Sequence, residues 1–106
     1  MNFDEYPIVS LPLGKTKYFL YVADTDERKH LGLSGTKNLP KRAGMLFPYD
    51  DEKPRTFQFR ETLMPLTVYF IGSDGKVLQT SNSKPGGPPI YCSKPCKYVI
   101  EVPSGV

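Results

Sequence analysis

The sequence predicts a mainly β (α+β) fold: a small, barrel-like and mostly antiparallel sheet with one short helix. Three observations lead there. Eleven prolines and nine glycines cut the 106 residues into short segments. Seven Tyr and six Phe, together with β-branched residues, crowd those segments as strands require. Only one stretch carries the chemistry that starts a helix. At this length the chain fits one domain, residues 1–106, because separate cores arise only in much longer chains.

Residues 16–23, TKYFLYVA, are apolar on both faces. Tyr18, Leu20 and Val22 point one way and Phe19 and Tyr21 the other, the pattern of a central or barrel strand. Asp24 is the expected helix cap, with Glu27 three residues on completing a capping box. Leu31 and Leu33 supply the apolar contacts, and Gly32 or Gly35 the stop. Gly44 to Phe47 begins another extended piece, and residues 48–54 read as an acidic, proline-bounded loop. Phe57 and Phe59 then alternate as on the buried face of a strand, which sets Gln58, Arg60 and Thr62 together on the opposite face. In LTVYFIGSDGKVLQTS, residues 66–81, two apolar runs meet at Ser73-Asp74-Gly75, where Gly75 can take the positive φ of a tight hairpin. Residues 82–97, NSKPGGPPIYCSKPCK, read as a Gly/Pro loop whose prolines lack the amide donors a ladder needs. Tyr98, Ile100 and Val102 share one face of a last strand. Six or seven short strands around one helix fit a closed or half-open barrel. There are no internal repeats.

Fourteen Lys and Arg against eleven Asp and Glu give a net charge of +3. The basic residues are interrupted by acidic clusters, Asp24 to Glu27 and Asp50 to Glu52, as on an ordinary solvated surface. The aromatic residues sit in alternating strand positions, where core packing accounts for them, so nucleic acid is not the expected partner. No apolar run is long enough to span a bilayer, and Met1 to Glu5 is acidic with no apolar leader core. The sequence as it stands is expected in the cytoplasm, or exported if a leader has been removed.

At this point a set of ordered blocks becomes recognisable: GL on the helix, then LP, GMLF, an aromatic strand ending in TLMPL, a DG hairpin and a closing YVIEVPSG. Together they resemble the domain of unknown function 192 (DUF192) family, from about Phe19 to Val106. The resemblance implies a compact β-rich domain with barrel-like character and one short helix, and no established activity; many relatives look exported. Two positions depart from the family pattern, with Gln58 where Trp is usual and Thr67 where an Asp follows the Pro-Leu.

The row Gln58, Arg60 and Thr62, extended by Tyr69, is the first candidate binding site. If it faces a barrel interior, Arg60 needs a partner, because a buried unpaired charge costs several kcal/mol. Glu101 on the last strand, or an anionic ligand, could supply it. If the row faces outward, Arg60 lays its aliphatic stem over a Tyr ring with its charge in water. Cys92 and Cys96 are the candidate disulfide, with free thiols as the alternative in a reducing compartment. They are too few for a structural metal site, and His30 is the only histidine. A Cys-His mechanism would have His30 as its only base, and the prolines around the cysteines point to a rigid surface loop instead; a serine elbow, a phosphate loop and a dinucleotide fingerprint lack their residues, and no metal or cofactor is expected. The function read from the residues is a binding module for a small polar or anionic ligand or a partner segment. The alternatives are an enzyme on a small anionic or glycan-like substrate, with Arg60 and Glu101 at its centre, and a structural protein without a ligand.

Overall fold

The computed structural model describes residues 3–104. Among them are six strands and one helix in the order β1 (Ile8–Leu13), β2 (Thr16–Val22), α1 (Asp26–Leu31), β3 (Ala43–Phe57), β4 (Leu66–Ile71), β5 (Val77–Ser83) and β6 (Ile90–Pro103). The strands form one sheet in the order β1-β2-β3-β6-β4-β5. Only β2 and β3 run parallel. A parallel step needs a crossover, and residues 23–42 with α1 provide it. The sheet is not closed, because β1 and β5 are its two edges; the expected barrel is an open, mostly antiparallel sheet.

The last strand lies at the centre. β6 pairs with β3 on one side and β4 on the other, so neither of its edges is free, and Val99 on one face and Ile100 and Val102 on the other are buried. One face of the sheet carries Met45, Phe47, Val68, Phe70 and Val99, roofed by Leu33, Phe59 and Met64. The other carries Leu20, Ile71, Ile100 and Val102, with Tyr69 and Tyr98 packed beside them. Gly44 is the point of closest approach within the sheet: a Cβ there would lie 2.5 Å from the Glu101 carbonyl oxygen and 2.7 Å from Val102, which no side chain could tolerate without displacing a strand.

Local chemistry explains most departures from the sequence reading. The helix cap is Thr25, not Asp24: the Thr25 hydroxyl accepts from the Arg28 amide at 3.1 Å, while Asp24 binds the Arg28 guanidinium at 2.9 Å. Gly32, at φ 52°, ends the helix. Thr25→Ala is therefore expected to lower stability by about 1 kcal/mol. Asp24→Ala, which removes only an exposed ion pair, should change the urea midpoint much less.

Of the stretches expected to be loops, residues 48–54 lie within β3, and in 82–97 residues 82–83 end β5, residues 84–89 form the connection and residues 90–97 lie within β6. Four residues, 49–52, bulge against Lys97 alone, and three, 93–95, bulge against Pro54. Pro54 and Pro95 therefore sit where the ladder is already interrupted, and their missing amides leave no gap. Conversely, the strand expected to continue from Phe57 through Thr62 stops at Phe57, whose partner Ile90 is the first residue of β6. Pro88 and Pro89 precede Ile90 and have no amide with which to extend the pairing. The hairpin at Asp74-Gly75 forms as expected, with the Lys76 amide donating to Asp74 Oδ1 at 3.0 Å and Gly75 at φ 84°.

Candidate functional site

β6 contributes Glu101 to a row that is otherwise apolar. Directly across from it stand Met45 on β3 and Val68 on β4, so its carboxyl shares a face with the larger core. Glu101 is only 4% exposed. No Lys or Arg pairs with it, and no protein group hydrogen-bonds its carboxyl among the described residues. A carboxylate in that position would be costly, so the group keeps its proton. Burial pushes its pKa up to about 8.

The carboxyl is not sealed in. It lies at the base of a cleft of about 300 Å³ between the end of α1 and the sheet. The cleft is walled by Phe47, Tyr49 and Phe57 from β3, by residues 29–34 from α1 and its following turn, and by Gln58 and Thr62 from the segment after β3. Gly32 turns the chain at the helix end with φ 52°, a conformation that favours glycine, and a Cβ there would make only an ordinary contact with the Phe47 ring at 3.5 Å. The segment 58–62 is tied at its C-terminal end by two backbone bonds. Gly35 N donates to Glu61 O at 2.9 Å and Gly86 N to Thr62 O at 3.1 Å.

The Tyr49 wall is braced by a buried cation that the sequence reading left among surface charges. Arg55 is 8% exposed. Its Nε donates to the Cys96 carbonyl at 3.1 Å and its Nη2 to Asp51 Oδ1 at 2.7 Å and Asp51 O at 2.8 Å. The guanidinium lies over the Tyr49 ring at 3.6 Å, and the Lys29 ammonium lies over the same ring at 4.5 Å. The 49–52 bulge allows this, because it returns Asp51 to the guanidinium of Arg55. Hydrogen bonding to Arg55 holds the Asp51 carboxyl below its usual range. Burial raises the Tyr49 phenol to about 12, with Arg55 opposing the rise, so Tyr49 stays a neutral hydroxyl.

The four residues of the expected binding row do not converge. Gln58 and Thr62 reach the cleft. Arg60 is exposed and not part of the cleft wall, so it does not pair with Glu101. Tyr69 packs against the opposite face of the sheet, where burial raises its phenol. Cys92 and Cys96, the disulfide candidate, are both free and fully buried. Cys92 Sγ lies 3.8 Å from the Lys94 carbonyl oxygen and Cys96 Sγ 3.7 Å from that of Lys53. Burial and the neighbouring Cys92 push the Cys96 thiol up, away from the thiolate a nucleophile or metal ligand requires. Among the described residues no three His, Cys, Asp or Glu side chains converge as a metal site, and no helix is long and apolar enough to cross a membrane.

The arrangement therefore offers a protonated acid that can donate and accept, ringed by hydroxyl, amide and aromatic groups. The same wall also carries the side chains of Lys29 and His30.

The same fold occurs in two solved structures. A protein from Sinorhizobium meliloti 1021 proposed to be a transcription regulator matches with a TM-score of 0.80 and 26% identity, over 85% of this chain and 71% of that one. A protein of unknown function from Novosphingobium aromaticivorans DSM 12444 matches with a TM-score of 0.81 and 25% identity, over 94% of this chain and 74% of that one. No curated protein matches. The family model for DUF192, described as an uncharacterized ACR, matches residues 10–106. The chain belongs to the DUF192 family.

Proposed function

We propose that the protein is a binding module that holds a small polar molecule in the cleft above Glu101. One observation carries the reading: a carboxyl 4% exposed, without a partner, opening into a cleft. A protein gains nothing in stability from such a group, and a ligand that hydrogen-bonds it removes the penalty. Gln58, displayed at the rim, and Thr62, buried beside the cleft, add polar contacts. Phe47, Tyr49 and Phe57 supply the apolar walls common to small-molecule sites.

Catalysis on an anionic substrate is less well supported, since Arg60, its expected anchor, lies outside the cleft. The name of the Sinorhizobium meliloti relative raises DNA binding as a second reading. It fits poorly here, because the six-residue helix opens with Asp26 and Glu27, which repel phosphates at that terminus.

The test is thermal denaturation of wild type, Glu101→Gln and Glu101→Leu against a set of small polar metabolites. At least one compound is expected to raise the melting temperature of wild type and Glu101→Gln but not of Glu101→Leu. If the same compounds stabilise Glu101→Leu equally, or if none stabilises any of the three, the binding reading fails.

A further inference from the structure

We infer that the ligand is a neutral, hydroxyl-rich molecule of monosaccharide size. The inference rests on the binding reading above and names the chemistry the cleft selects. Apart from the Lys29 ammonium, which only donates, and the His30 imidazole, its polar side chains share one character. Glu101 in its protonated form, Gln58, Ser34, Thr56 and Thr62 all line the cleft, and each both donates and accepts hydrogen bonds. A hydroxyl is the ligand group with the same dual character, and a ring bearing several of them satisfies such a wall without leaving a donor or acceptor unpaired.

The charged alternatives are less complementary. An anion calls for donor-only groups, above all guanidinium. The Arg55 guanidinium is committed to Asp51 and the Cys96 carbonyl behind Tyr49, and Lys29 is the only Lys or Arg of the cleft wall. A cation calls for a fixed negative charge, whereas Glu101 is neutral in its unpaired state and Lys29, also in the cleft wall, carries a like charge.

Size and shape agree with the same class. At about 300 Å³ the cleft stands at the small end of ligand pockets, which run from roughly 300 to 1,000 Å³, a size for a single ring rather than a dinucleotide. The half-buried Phe57, packed edge to face at 5.0 Å on the buried Phe47, supplies apolar wall for the C–H side of such a ring, and Glu101, Thr62 and Gln58 supply partners for its hydroxyls.

The experiment is amide NMR on the full chain, titrated with D-glucose, D-galactose, D-mannose, N-acetyl-D-glucosamine and myo-inositol, and separately with inorganic phosphate, acetate and tetramethylammonium. The expected result is saturable shifts confined to Gly32, Ser34, Gln58 and Thr62 with at least one neutral probe. Binding should weaken by about tenfold in Gln58→Ala, an exposed position where folding is unaffected, and should be lost in Glu101→Leu but kept in Glu101→Gln. Shifts at these residues only with phosphate, acetate or tetramethylammonium would overturn the hydroxyl-rich class while leaving the cleft a binding site. Silence with every probe would overturn both.

Discussion

Glu101→Gln is expected to raise the melting temperature at pH 8 by roughly 10 °C or more, and to raise it little at pH 5. The sign follows from where the proton sits. In the unfolded chain the carboxyl titrates near its ordinary value of 4.5, and in the fold at about 8. Between those values the folded state holds a proton the unfolded state has released, so stability falls as pH rises. The contribution is fully present below the unfolded value and is lost as pH climbs through the folded one. At 1.36 kcal/mol per pH unit, the penalty near pH 8 is on the order of 3–4 kcal/mol, and each kcal/mol is worth about 4–8 °C in a domain of this size. Gln keeps the shape and hydrogen-bonding capacity of the neutral acid without the titration. Asp51 works in the opposite sense: its lowered value makes its contribution present above the ordinary carboxylate range and lost on acidification. Because both proteins keep Asp51, the difference between them isolates Glu101. Melting curves at several pH values check this, and a difference independent of pH would contradict it.

Arg55→Ala is expected to destabilise the protein by about 3 kcal/mol, and Arg60→Ala to fall within about 0.5 kcal/mol of wild type. Removing the Arg55 side chain strips the Cys96 carbonyl of its side-chain donor, frees the 49–52 bulge from its tie and opens a space against the Tyr49 ring. Lys at this position should recover only part of the loss, because an ammonium cannot bridge Cys96, Asp51 and the ring face as a planar guanidinium does. Urea midpoints for the three variants decide the matter. Equal, small losses for Arg55→Ala and Arg60→Ala would show that Arg55 does not brace the cleft wall.

The difference between these two arginines shows what the sequence could and could not reveal. Alternation of Phe57 and Phe59 predicts a strand through residue 62, and on that strand Arg60 is the natural anchor. The strand ends at Phe57 because of Pro88 and Pro89, thirty-odd residues away in the chain, and a local pattern does not contain its partner's ending. Arg55 was hidden for a related reason: its burial depends on a bulge whose register is set by the opposite strand. Features governed by nearby residues were legible, including β2, the Asp74-Gly75 hairpin and the Gly32 stop. The cap was misplaced by one residue because Asp24 and Thr25 both have capping side chains, and Arg28 takes the carboxylate of the first.

Glu101 was more nearly legible than the rest of the site. In YVIEVP an acid interrupts a run that is apolar on both faces, the composition of a central strand. Such an interruption signals either a partner or a function. The sequence supplied the wrong partner, Arg60, because the cleft forms only when the turn after α1 folds over Phe47. Gln58 and Thr62 reach the cleft wall from the turn after β3, not from one strand face as the alternation of Phe57 and Phe59 predicts.

The central claim is that Glu101 is a buried, unpartnered acid that keeps its proton near neutrality. The most direct measurement is the carboxyl carbon shift of Glu101, followed by NMR across the pH range and assigned by its disappearance in Glu101→Gln. The predicted result is a single titration with a midpoint of about 8. A midpoint near the ordinary 4.5 would mean that the carboxylate is hydrated or paired in solution, and would contradict the claim.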